Sequence, residues 1–267
     1  FKKSTVYAWV SQKRIPHIKL CGKILFDPNE ISRIMMLSES NRRLVMASMS
    51  NLSKFLGMYG VWKSIIENAG LKWANGRSED LIIKRFTKAR DHEGVVDWIL
   101  SLKEKIPEIS VFLDFMAFTG IRFVEAVNSY RIIRDLSREG RLGEYYDADR
   151  EILEHYKFKD LFLRKSKKVF ISFVSKNLIE EVSEAGRLTK AMIENRVKRS
   201  GMPLRFGDLR EYWASIMTEH LREPEINFLQ GRISTSIFMR NYFNPAWIRD
   251  LKERTLRAAG EILKKIA

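Results

Sequence analysis

Apolar residues recur at helical spacing over most of this chain, and only short stretches turn to alternation. Val6, Trp9 and Val10 share one face of residues 4–13, with Ser4 placed to cap the start and Pro16 to stop the helix. Residues 17–26 alternate around Cys21-Gly22, the pattern of a short hairpin, and Asp27-Pro28 opens a helix running to Met36. Leu44, Met46, Met49, Leu52, Phe55 and Leu56 begin a helical region that continues through 61–69, 81–89 and 95–102. Lys105-Ile106-Pro107 is the strongest break, where we expect the main linker.

Beyond it, an apolar helix over 109–119 ends at Gly120, and a second follows Ile121. Two β-like runs, 159–163 and 169–174, flank the basic tip Arg164-Lys165-Ser166-Lys167-Lys168, and further helices are predicted at 189–199, 209–220, 223–229 and 246–266. The pattern predicts an α+β protein, mainly α-helical, with one small antiparallel sheet. Three units are expected: 1–36, 37–106 and 107–267.

Composition narrows the function. Forty-eight Lys+Arg against 33 Asp+Glu give a net charge of +15, which points to a polyanion partner, while 45% hydrophobic residues supply real cores. One cysteine, Cys21, forms no internal disulfide, and four scattered histidines show no metal-ligand spacing, so a reducing, cytoplasmic setting and no metal are expected. The longest apolar runs are too short to span a bilayer, so no membrane partner is expected. The chain opens at Phe1, inside a helical pattern, and upstream residues are expected to precede it.

The string TVYAWV…RIPHIKLCGKILFDPNEI resembles an excisionase or MerR-like winged helix-turn-helix entered at its recognition helix. Residues 1–36 hold seven basic against two acidic side chains, and Lys13, Arg14, Lys19 and Lys23 stand at the proposed turn and wing, where they suit phosphate contacts. A merely solvated basic face is the plainer alternative.

Four further features occur in order. They are Thr119-Gly120-Ile121-Arg122-Phe123-Val124-Glu125, the basic hairpin, Gly207-Asp208-Leu209-Arg210, and Gln230-Gly231-Arg232 with Tyr242 ten residues after Arg232. Together they resemble the TGxRxxE, HxLR and LGHxxxxT boxes and the nucleophile of tyrosine recombinases, the phage-integrase family. Arginine in the last box is most like the archaeal fusellovirus-type integrases. The resemblance implies a helical core-binding domain at 37–106 and a catalytic domain at 107–267, acting on double-stranded DNA through a 3′-phosphotyrosyl intermediate. It also implies a homo-oligomer, a synaptic tetramer, in an archaeal or bacterial host cell.

The chemistry suits the residue types. Arg122, Arg210 and Arg232 are forked cations that match a phosphate, with Glu125 in support; Tyr242 would be the nucleophile. A hairpin lysine would protonate the leaving 5′ oxygen; Lys165 is the first choice, with Lys167 and Lys168 equally close and also suited to DNA backbone contacts. Each has a plainer reading: an ion pair between Arg122 and Glu125, or a core aromatic at Tyr242. Two positions depart from the family pattern. Gly207 stands where histidine or lysine is usual, and Arg232 replaces the second histidine, so the usual base is missing. Arg205 or Lys190 could compensate. No cofactor is expected, because arginines and a lysine supply the charge that Mg²⁺ supplies elsewhere. A non-catalytic DNA-binding regulator and a type IB topoisomerase-like enzyme are the competing expectations.

Overall fold

A computed structural model describes residues 18–20, 23–25, 34, 36–73, 83, 92–164, 167–232, 243–245 and 248–267. For 18–20, 23–25, 39–40, 92–93 and 167 the description is of the backbone alone. The chain is mainly helical with a small three-stranded antiparallel sheet, and it divides into two compact units, Phe1–Ala89 and Arg90–Ala267.

In the first unit β1 (Ile18–Leu20) pairs antiparallel with β2 (Lys23–Leu25), Ile18 opposite Leu25, so the predicted hairpin forms. Helices α1 (Glu39–Phe55) and α2 (Tyr59–Asn68) pack together around Ile34, Met46, Met49, Trp62 and Leu71. The Trp62 indole N–H donates to Ser50 Oγ at 2.9 Å, so its polar atom is satisfied inside this small core.

The second unit begins earlier than the Lys105-Ile106-Pro107 break. Helix α3 (His92–Lys105) buries Val95, Trp98, Ile99 and Leu102 in this unit's core, and the proline merely turns the chain through Pro107–Ile109 into the next helix. That helix, α4 (Ser110–Thr119), buries Phe112, Leu113, Phe115, Met116, Ala117 and Phe118, and hence is apolar on nearly every side. Asp114 interrupts the run but pairs with Lys103 at 2.5 Å. Around α4 stand α5 (Phe123–Arg138), α7 (Lys176–Glu184), α9 (Phe206–Met217) and α11 (Leu251–Ile266). Among the described residues no helix is long and apolar enough to cross a membrane.

The sheet orders β3 (Tyr146–Asp147), β4 (Ile152–Leu153) and β7 (Ser172–Phe173), with Ile152 opposite both Asp147 and Phe173. One local expectation is corrected. Residues 159–163 do not form a strand: α6 (Lys159–Phe162) is one helical turn that drives Phe162 into the core against His155, and only β5 (Leu163–Arg164) pairs onward, with β6 (Lys167–Lys168). Glu180 and Glu181 are exposed on α7, whose buried face is Leu178, Ile179 and Val182. Helices α8 (Lys190–Arg199) and α10 (Glu223–Leu229) form near their expected bounds; the last helix starts at Leu251, five residues later than predicted, where Asp250 binds Arg254 at 2.9 Å.

Beneath the sheet lies a closed polar chain. The Tyr145 hydroxyl donates to Ser129 Oγ at 2.9 Å and lies 2.6 Å from His155 Nδ1, while His155 Nε2 lies 2.9 Å from Ser172 Oγ. Burial pushes the imidazole down to about 3, so it is neutral in the native state. An unfolded histidine takes a proton below about 6.5, and this group's contribution is therefore whole above that pH and is lost as pH falls toward 3. Native stability should drop by about 1.4 kcal/mol per pH unit from this source below pH 6.5. Urea melts of wild type and His155→Gln at pH 7 and 4.5 check it: the variant should lose less on acidification.

Candidate active site

The site is assembled from chain turns that sequence separates widely. Helix α4 ends because Gly120 takes a left-handed conformation, φ 61°, and its N–H closes the last turn on Met116 O at 3.1 Å. The indole of Trp213, from α9, lies directly on Gly120 and donates to Phe118 O at 2.9 Å. A Cβ at Gly120 would sit inside the indole, and one at Gly231, φ 62°, inside the Lys168 carbonyl, so both positions need glycine twice over. Gly120→Ala should destabilise the fold by about 2–4 kcal/mol from overpacking and backbone strain. Gly260→Ala, in open space on α11, should instead add about 0.5–1 kcal/mol. Chemical denaturation of the two variants distinguishes these signs.

Arg122 leaves the Gly120 turn as the N-cap of α5. Its N–H donates to Glu125 Oε2 at 3.2 Å and its Nη1 to both carboxylate oxygens at 3.0 and 3.2 Å, so the ion pair predicted as the plainer reading is real. That pairing does not exhaust the guanidinium. Nη2 points to Gly231 O at 3.5 Å, and the side chain keeps 24% exposure. Phe123, the next residue, stacks on Phe206 at 4.1 Å, which brings the start of α5 against the start of α9.

Arg210 lies on α9 and is buried. Its Nη1 donates to Gly120 O at 3.3 Å and its Nη2 to Gln230 O at 2.6 Å. Gln230, wholly buried, donates its amide to Gly120 O at 3.3 Å and to Arg210 O at 3.0 Å, which locks the turn after α10 to the same carbonyl. Arg232 follows, exposed, its N–H bonded to Asn227 O at 2.7 Å. Burial, then the positive charges of Arg122 and Arg232, hold the Arg210 guanidinium below its ordinary range, while Glu125 opposes them. Arg122, Arg210 and Arg232 therefore share one field, and an anion placed among them would relieve it.

The remaining expected residues divide. Glu125 is fully buried and at the centre. Lys168 is exposed at the end of the hairpin, and Lys167, Lys19 and Lys23 lie in strands described by backbone alone. Lys13, Arg14, Lys165 and Tyr242 lie outside the described residues. Gly207 has open space where a side chain would stand. Arg205 is bonded to Asp208 at 2.9 Å and Gly94 O at 2.6 Å, and Lys190 lies 3.7 Å from Glu194. Sequence reasoning missed two participants. Arg164 donates to Glu125 at 3.0 Å across 39 residues, which no local spacing signals; Gln230 stood inside a recognised box and its anchoring role did not. Among the described residues no group of three His, Cys, Asp or Glu could hold a metal ion.

A family model described as archaeal phage integrase matches residues 90–253, a span that takes in all four features. No curated protein and no solved structure matches the chain.

Proposed function

This chain belongs to the archaeal phage integrase family, and from that footing we propose that it is a tyrosine-type DNA recombinase, which breaks and rejoins DNA through a covalent bond between Tyr242 and a 3′ phosphate. The observation that carries the reading is Arg210, buried between the carbonyls of Gly120 and Gln230 and crowded by the charges of Arg122 and Arg232. Such a cluster is unfavourable at rest and becomes favourable when a phosphate enters it, which is the arrangement wanted where negative charge grows on non-bridging oxygens.

In the proposed reaction the Tyr242 phenol gives its proton to solvent and the phenolate oxygen attacks phosphorus while the bond to the 5′ oxygen breaks. The departing oxygen takes a proton from a lysine of the β5–β6 hairpin, Lys165 by first choice. Attack of a 5′ hydroxyl on the phosphotyrosine reverses both bonds and returns the proton. Positive potential around the phosphate favours the phenolate, and Arg232 contributes charge without exchanging a proton. The first unit, Phe1–Ala89, with Lys13, Arg14, Lys19 and Lys23, would grip duplex DNA, and a synaptic tetramer would bring two duplexes together.

The test is direct. Junctions recovered from a randomised DNA pool define a duplex; nicked near the scissile phosphate, it releases the 5′ fragment and traps the intermediate. A denaturant-resistant protein–DNA adduct is expected, formed equally well in chelator. Tight binding with no adduct would instead support a non-catalytic regulator, and relaxation of supercoils without exchange between duplexes a topoisomerase-like activity.

A further inference from the structure

Glu125 does more than orient Arg122. The same buried carboxylate oxygen that meets Arg122 Nη1 also accepts Nη2 of Arg164 at 3.0 Å. Arg164 closes β5, and its side chain reaches from a partly exposed position into the floor of the guanidinium cluster. The return strand is seated separately, because the Lys168 carbonyl lies against Gly231, in the turn that carries Arg232. Two residues per strand cannot hold a hairpin in place by their own pairing. Buried Phe162 and Val169, joined by the Val169 N–H to Phe162 O at 3.1 Å, anchor its base, and these two contacts, one through Glu125 and one through Gly231, tie it to the phosphate-binding cations.

We propose that Arg164 is a positioning residue for leaving-group protonation: through Glu125 it fixes the lysine-bearing hairpin at a set distance from Arg122. The inference rests on the phosphotyrosyl reading above, and holds whichever hairpin lysine gives the proton. As the phosphorus–5′ oxygen bond breaks, that proton must arrive along a line set by the hairpin's seat. A guanidinium that shares one carboxylate oxygen with Arg122 ties the proton donor and the phosphate ligand to a single point. Lysine at this position would keep the charge but not the reach of the fork.

Two nicked duplexes separate this role from a general structural one. They are identical except that sulfur replaces the bridging 5′ oxygen in one, and a thiolate departs without a proton because its conjugate acid is far stronger than an alcohol. Arg164→Gln should slow adduct formation on the oxygen duplex by about tenfold or more and leave the sulfur duplex within about threefold of wild type. Arg164→Lys should fall between, and because Arg122 keeps the buried Glu125 paired when Arg164 is lost, the melting temperature should stay near that of wild type. Arg122→Gln, which removes a phosphate ligand, should be slow on both duplexes. Equal slowing of Arg164→Gln on both, or no slowing, overturns the inference while wild-type adducts stand. Wild type forming no adduct on either duplex overturns the phosphotyrosyl reading, and this inference with it.

Discussion

Replacing Tyr242 by phenylalanine is expected to abolish the covalent DNA adduct while leaving DNA affinity nearly unchanged. Phenylalanine keeps the ring and removes only the oxygen, so a binding surface built from the chain's +15 charge is untouched. The loss should be complete rather than graded, because attack by water in place of the phenol would cut the DNA without storing the bond on protein. Denaturing gels of the trapped complex and a salt titration of binding read the two properties separately. An adduct persisting in Tyr242→Phe would assign the bond to another residue, and a collapse of affinity would give Tyr242 a structural role.

Arg210→Ala is expected to slow adduct formation by about 10³-fold, since it removes an ion-pairing donor aimed at growing phosphate charge. The stability effect should run the other way. Arg210 is desolvated and repelled by Arg122 and Arg232, so its removal relieves the cluster. Gly120 O keeps its bond from Gln230, which limits the damage to the turn. A melting temperature equal to or above that of wild type, together with the kinetic loss, identifies a residue held for function at the expense of fold stability. Arg210→Lys should recover only part of the rate, because an ammonium cannot span both carbonyls and still present a fork to phosphate. Single-turnover kinetics and thermal melts of both variants decide it, and near-normal kinetics in Arg210→Ala would remove this arginine from the mechanism.

What the sequence made legible follows from how far each determinant reaches. Gly120 and Arg122 were readable because a left-handed helix end and the residue two places on are joined by covalent geometry. Helix α4 was readable because its burial writes an apolar run broken inside the helix only at Asp114. The two-residue strands β3 and β4 leave no periodicity to detect, and α6 hides inside a run that reads equally well as a strand until Phe162 finds His155. The position of α3 depends on which unit buries Trp98, whose indole bonds to Pro203 O, 105 residues away. The same limit concealed Arg164: its partner is set by tertiary packing, and any exposed arginine on a basic hairpin would look alike in one dimension.

The Gly120 carbonyl holds Arg210, and the main chain that carries this carbonyl emerges two residues later as Arg122. Two cations from distant parts of the sequence thus ride on one stretch of backbone. Breathing of the surrounding helices carries both together, so their mutual spacing, which a tetrahedral phosphorus demands, is conserved through motions that would scatter side chains mounted on independent supports.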